Sequence, residues 1–161
     1  MGKWGSVDFS AFLKLQENLD KAINGADDLC VRCTQKLASY LLNAVIKRTP
    51  VKTGALRRGW MAGKSPSSSG GKVAGKTTMQ VAKKGNVYEI FVFNSVNYAS
   101  YVEYGHRQEP GRYVPAIGKR LKSSWVKGQF MLTISEEQLE AAVPRIINSL
   151  LKPYMEEIFN V

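Results

Sequence analysis

Apolar positions recur at helical spacing through the first fifty residues. Phe12, Leu15, Leu19, Ala22, Ala26, Leu29, Cys33, Leu37, Leu41, Ala44 and Ile46 follow one another mostly three or four apart. The pattern predicts helix over 8–48, with Asp8 as N-cap and Asn24-Gly25 as a point where the run divides in two. Unbroken, it would reach roughly 60 Å, more than a compact domain of this length needs, and would pack against something outside the chain. Thr49-Pro50 stops it, because a residue before proline is pushed out of the helical region. "PVKTGALRRGW" (50–60) reads as a turn and an extended segment, with freedom at Gly54 and anchors at Leu56 and Trp60. Residues 61–76 read as a wide flexible loop. Residues 77–83 and 87–94 are rich in β-branched and aromatic side chains and flank Gly85-Asn86, which predicts a hairpin. Glu89 is the only charge of the second strand, so both its faces are expected to be largely buried.

"SVNYASYVEYGH" (95–106) predicts a short helix with Tyr98, Tyr101 and Val102 on one face, Tyr104 near its edge, and Gly105 ending it. Residues 107–128 are basic and read as irregular. "QFMLTI" (129–134) reads as a strand, and Ser135 with Gln138 as a capping box. The closing helix then lines up Leu139, Val143, Ile146, Leu150, Tyr154 and Ile158, with Pro144 and Pro153 expected to kink or segment it. The fold class is α+β in one domain, 1–161: a long N-terminal helix, a small antiparallel sheet with a wide basic loop, a short tyrosine-rich helix and a C-terminal amphipathic helix.

Charge divides the 161 residues unevenly. The net formal charge is +10: residues 1–46 balance, residues 47–128 carry +13, and residues 129–161 carry −3. A cationic middle between near-neutral and acidic helical ends suits an anionic partner, nucleic acid first, although a solvated lysine-bearing loop accounts for part of it. No run of eighteen apolar residues exists, which predicts no membrane span. "MGKWGSVDFS" lacks an apolar signal core, which predicts a protein that stays in the cytoplasm where it is made.

"GGKVAGKT" (70–77) satisfies the phosphate-loop pattern but not its setting. The pattern works when a buried strand delivers the glycines and a helix starts at the Lys-Thr end. "MAGKSPSSSG" (61–70) is not the sequence of a buried strand, and a hairpin pattern follows. The four aspartates, Asp8, Asp20, Asp27 and Asp28, all lie upstream, so none can organise magnesium after a second strand. Cys30 and Cys33 form a C-x-x-C pair, but zinc needs four ligands and the only histidine is His106. Within a helical pattern the pair reads as two small buried-type residues. Ser67, Ser68 and Ser69 sit in linker sequence, and His106 has no aspartate nearby in sequence. Catalytic groups, cofactor sites and metal ligands are therefore not expected. Glu103, between Tyr101 and Tyr104, is expected to be partly buried and to meet Arg57, Arg58 or Arg107.

"RTPVKTGALRRGW" (48–60) and "NYASYVEYGHR" (97–107) together resemble the minor tail components, tail-completion or neck proteins, of tailed bacteriophages, a group related to the lambda-like minor tail protein Z. Thr53, Gly54 and Leu56 fit the first motif; Tyr98, Ala99, Glu103 and Gly105 fit the second. The order of elements agrees as well. The resemblance implies a structural, non-enzymatic subunit of a phage, prophage or phage-tail-like particle, assembled in the bacterial cytoplasm. It implies a ring, hexameric as such rings usually are, at the head-proximal end of the tail tube. The implied partners are further copies of the chain, the tube protein and the neck or head-joining protein, or a sheath in a contractile tail, with DNA in passing contact and no membrane. Candidate channel or interface cations are Arg57, Arg58, Lys64, Lys72, Lys76, Arg107 and Arg112. The competing reading is a free basic nucleic-acid-binding protein. It would interleave exposed aromatics with cations, whereas Tyr88, Phe91 and Phe93 lie in a strand that reads as buried.

Overall fold

The computed structural model of the chain describes residues 9–63 and 79–159. One helix, α1 (Ser10–Arg48), takes in almost the whole N-terminal pattern without a break. Asp8 lies outside the described residues. Gly25 is a notch and not a helix end: the Tyr154 ring lies against it, and an added Cβ would stand 2.5 Å from the Tyr154 hydroxyl. That hydroxyl donates to the Ala22 carbonyl at 2.7 Å. Helix α1 stops as expected at Thr49, whose ψ of 123° turns the backbone extended. Cys30 and Cys33 are free thiols inside α1, and burial pushes the Cys33 thiol up from its ordinary value.

After the turn at 50–54 come a four-residue helix, α2 (Ala55–Arg58), and a strand, β1 (Trp60–Gly63). Met61, Ala62 and Gly63 therefore belong to a largely buried strand and not to the loop expected over 61–76. The rest of that loop, with Lys64, Lys72 and Lys76, lies outside the described residues. No helix follows at the other end of the phosphate-loop pattern among the described residues; the next element is β2 (Ala82–Lys84). It turns at Gly85-Asn86 into β3 (Val87–Glu89), as the hairpin pattern predicts.

The apolar run 87–94 is split at Ile90. Its second half, β4 (Phe91–Asn94), leaves the hairpin and pairs antiparallel with β1, Trp60 opposite Asn94 and Gly63 opposite Phe91. The run is half-buried and not covered on both faces: Val87 is 55% and Phe91 41% exposed. Helix α3 (Ala99–Tyr104) carries the tyrosines, and Gly105 ends it at φ +83°.

Two expectations fail in the C-terminal third. Residues 107–128 are not irregular. β5 (Gly105–Arg107) pairs with β8 (Trp125–Lys127), and β6 (Tyr113–Val114) with β7 (Lys119–Arg120), with a 3-10 turn (Pro115–Ile117) between β6 and β7. Bonds from Gln108 N–H to the Ser124 carbonyl (3.0 Å) and from Gly111 N–H to the Leu121 carbonyl (2.8 Å) join the two pairs into one long hairpin arm. The "QFMLTI" segment is not a strand: α4 spans Met131–Phe159. Ser135 sits one turn inside it, fully buried, its hydroxyl donating to the Met131 carbonyl at 2.6 Å. The short, largely apolar segment folds instead as a helix start, with Met131 packed in the core. Pro144 and Pro153 both lie within α4, which continues past them. The expected face is inward, with Ile146 and Ile158 buried and Leu139, Val143, Leu150 and Tyr154 partly so.

Helix α4 runs antiparallel along α1, and the core gathers where α4 begins and α1 ends. Ala38, Leu42, Val45, Leu56, Trp60, Ala62, Met79 and Met131 form it. Burying a side chain of Leu42's size contributes about 1.5–3 kcal/mol. At the far end the two helices continue as a stalk. On it Phe9, at the cap of α1, and Phe12, Leu13, Leu15, Leu19 and Ile23 within it remain 46–72% exposed.

The β2–β3 hairpin is tied to α1 by one polar cluster. The Asp27 carboxylate accepts from the Lys83 ammonium and the Tyr88 hydroxyl. The bond from Lys83, then that from Tyr88, hold the Asp27 carboxyl below its usual range, and the bond with Asp27 raises both Lys83 and Tyr88. A depressed aspartate contributes stability above its unfolded value and loses it as pH falls through the folded one. The raised lysine and tyrosine lose theirs only as pH rises through their folded values. The tie is therefore expected to hold through neutral pH and release in acid. Amide exchange of the 82–89 hairpin should rise between pH 6 and pH 3 relative to the core, and Asp27→Asn should remove that pH dependence. Hairpin protection that is equal at both pH values would show that the cluster does not hold it.

Candidate functional site

The segments carrying the two motifs meet in space. Pro50, Val51, Lys52, Thr53, Gly54 and Leu56 from the first, with Tyr98 and Val102 from the second, line one groove of about 400 Å³. The first motif folds as it does because Thr49 and Trp60 close it from beneath. The buried Thr49 hydroxyl donates to the Val45 carbonyl at 2.7 Å and accepts from the Trp60 indole N–H at 2.8 Å. Gly54 enters α2 at φ +76°, the positive value its place in the turn suggests. Leu56 is buried, as expected.

Asn94 joins the motifs. Its amide donates to the Leu56 carbonyl at 2.8 Å and its oxygen accepts from Val96 N–H at 3.0 Å. Ser95 N–H donates to the Gly59 carbonyl at 3.0 Å. From there Ala99 packs on the core, while Tyr98, Tyr101 and Tyr104 stand 45%, 58% and 61% exposed.

Glu103 is the buried carboxylate expected, 5% exposed, but its partner is not an arginine. Oε2 accepts from Leu132 N–H at 3.0 Å; Oε1 accepts from Thr133 N–H at 3.0 Å and from the Thr133 hydroxyl at 2.9 Å. These are the free donors of the first turn of α4, where the helix dipole also favours a negative charge. The arginines are used elsewhere. Arg57 donates to the Thr49 carbonyl at 3.0 Å and Arg58 to the Thr53 carbonyl at 3.3 Å, so both brace the first motif. A strand reading of 129–134 leaves no helix start for Glu103 to cap, which is why the sequence pointed to arginine.

Beside this cap the chain is tightly constrained. Phe130, just before α4, has φ +49°, an uncommon value for an aromatic residue. Its N–H donates to the Glu103 carbonyl at 3.0 Å. Gly105 and Gly128 lie back to back at the root of the arm; a Cβ on Gly105 would stand 2.3 Å from the Val126 carbonyl oxygen, and one on Gly128 2.3 Å from that of Glu103. His106 is half-buried on β5, its ring edge-on to Tyr101 at 5.7 Å. Arg107 and Arg112 both lie on the arm, well removed in sequence from Arg57 and Arg58. On the ladder Arg107 faces Trp125 and Arg120 faces Tyr113, with Trp125 52% and Tyr113 53% exposed. The sequence reading missed Thr49, Asn94, Trp125 and Phe130. Only the tie between Thr49 and Trp60 had a visible trace, in the Thr-Pro helix stop and the anchor assigned to Trp60.

Among the described residues no group of three or more His, Cys, Asp or Glu side chains is placed to hold a metal ion, and no helix is long and apolar enough to cross a membrane. The geometry builds a scaffold: a groove, a braced turn and a capped helix.

The two motifs that meet in this scaffold are the ones that resemble phage tail components, and the family match places the chain in that class. The family model described as "Bacteriophage HK97-gp10, putative tail-component" matches residues 14–105, more than half of the chain, and takes in the first motif and the second as far as Gly105. The chain belongs to this HK97-gp10-like family of phage tail components. Searches of curated proteins and of solved structures return no match.

Proposed function

We propose that the chain is a tail-completion, or terminator, subunit, with 1–161 acting as one domain that forms a hexameric ring at the head-proximal end of a tail tube. The observation that carries this reading is the unpartnered apolar stripe on the outer half of α1, in a chain of the tail-component family. Six large apolar side chains left 46–72% exposed call for a neighbour, and repeated head-to-tail contacts between identical copies form a ring where the rotation closes. The ring would bind the tube protein on one side and the neck or head-joining protein, or sheath, on the other. The relation to lambda-like minor tail protein Z belongs to the same proposal. Framework positions under it are Thr53, Gly54, Leu56, Tyr98, Ala99, Glu103 and Gly105; Arg107, Arg112 and the lysines at 64, 72 and 76 are its interface or channel cations. No step in this role requires a catalytic group. Deleting the protein is expected to leave tubes of uncontrolled length, or tails that cannot join heads. Sedimentation with tube ends should give about six copies per end. Full-length, infective particles from the deletion would reject the assignment.

A second reading, a free nucleic-acid-binding protein, draws on the arm, where Trp125 and Tyr113 alternate with arginines as stacking surfaces require. A monomer with strongly salt-dependent affinity for DNA fragments would favour it.

A further inference from the structure

We infer that the subunits join arm to stalk: the basic hairpin arm of one copy (105–127) covers the apolar stripe on the α1 stalk of the next. The inference rests on the ring reading and names the two surfaces that would make it.

The stripe needs an apolar cover. Phe12, Leu15, Leu19 and Ile23 lie on one helical face at steps of three and four, flanked by Phe9 and Leu13. The stalk tip is acidic: residues 10–28 with 152–159 hold three basic and six acidic side chains, net −3. Asp20 and Glu157 have no ion-pair partner within 4.0 Å among the described residues. The arm is the complement. It carries Arg107, Arg112, Lys119, Arg120, Lys122 and Lys127 against Glu109, net +5. Its exposed Tyr113, Trp125 and Val126 supply apolar surface between the cations. Aromatic rings with adjacent guanidinium groups suit an apolar face edged by carboxylates. DNA would match the charge but would leave the six stalk side chains uncovered.

Reach decides between a contact within one subunit and one between subunits. The arm is rooted at Gly105 and Gly128, next to the start of α4 and hence to the core that holds Val45 and Met131. Phe12 lies 33 residues up α1 from Val45, about 50 Å at 1.5 Å per residue. A hairpin turning near residue 116 extends at most about 35 Å. Ile23, about 33 Å from Val45, is within that reach, but Leu15 at about 45 Å and Phe12 at about 50 Å are not, so the arm cannot cover the outer part of the stripe on its own stalk. Contact in trans joins two different surfaces, a head-to-tail arrangement that gives a ring where the rotation between copies closes and an open filament where it does not.

Complementation in full-length protein tests this. The arm variant is Arg112→Glu/Lys119→Glu/Lys122→Glu, which spares Arg120 because its guanidinium donates to the Gly111 carbonyl at 2.7 Å within the arm. The stalk variant is Phe12→Glu/Ile23→Glu at positions 64% and 72% exposed. Circular dichroism and melting temperature check that both remain folded. Each variant alone is expected to weaken self-association at least about tenfold. An equimolar mixture should give dimers that grow no further, because one intact arm meets one intact stalk. Rings from the arm variant as good as the parent's would overturn the joint, as would a mixture that stays monomeric while the parent assembles. An arm variant that keeps the ring but loses affinity for a double-stranded DNA fragment would assign the arm to DNA instead. A parent chain that stays monomeric even on tube ends would overturn the ring reading itself.

Discussion

Glu103→Ala is expected to lower the melting temperature by roughly 6–12 °C, the shift that about 3 kcal/mol produces in a domain of this size. The carboxylate is 5% exposed and accepts three hydrogen bonds from the first turn of α4. Hydrogen bonds to a charged group contribute about 1.5–3 kcal/mol each, and removing the acceptor strands donors in a site with little water. The charge also faces the positive end of a 29-residue helix. Glu103→Gln should fall between parent and alanine. The amide oxygen can keep the two Thr133 donors, but the NH2 group then points at Leu132 N–H. The order parent, Gln, Ala in thermal unfolding checks the capping role, and the same order should appear in assembly into tails. If both variants melt with the parent, the carboxylate contributes nothing measurable to α4.

What could be read from the sequence was whatever depends on near neighbours along the chain. The helical period of α1, the stop at Thr49-Pro50, the hairpin at Gly85-Asn86, the positive φ of Gly54 and the inner face of α4 are local properties, and the structure has them all. The tail-component resemblance was legible too, in two short motifs, and the family match over residues 14–105 agrees with it. The failures lie where distant segments decide. Gly25 looked like a helix break because nothing nearby in sequence announces Tyr154, 129 positions on, as the ring that fills the notch. The strand 87–94 looked continuous because its change of partner at Ile90 depends on β1. The arm looked irregular because its ladder is short, interrupted and exposed, with little of the apolar alternation that marks a strand packed on a core. Glu103 was assigned to the right environment and the wrong partner. Its burial matches the expectation although the flanking Tyr101 and Tyr104 stand exposed, and its partners belong to a helix start that the sequence read as a strand.

Gly105→Ala is expected to be at least as damaging as Glu103→Ala, and to act on assembly as well as on stability. Gly105 combines φ +83° with ψ 176°, a region essentially closed to residues with a Cβ, so strain alone costs on the order of 1–3 kcal/mol. The space is closed as well: the new methyl would stand 2.3 Å from the Val126 carbonyl oxygen and 2.8 Å from Gly128 N. Both neighbours are backbone, so neither can swing aside as a side chain would. Relief requires the two strands to part at the root of the arm, where Gly105 opposes Lys127. Parting them also disturbs the Phe130 N–H bond to the Glu103 carbonyl and hence the entry to α4. A total loss of about 3 kcal/mol or more follows from strain plus overlap. Gly85→Ala is the matched control. Gly85 is also at positive φ, +58°, but nothing lies within 4 Å of an added Cβ, so it carries strain without overlap and should cost about 1 kcal/mol. Melting temperatures of the two variants separate backbone strain from close approach. If the arm also joins subunits, Gly105→Ala protein that still folds at low temperature should assemble poorly, while Gly85→Ala should assemble like the parent. Equal melting temperatures for the two would mean that the close approach at Gly105 carries no weight.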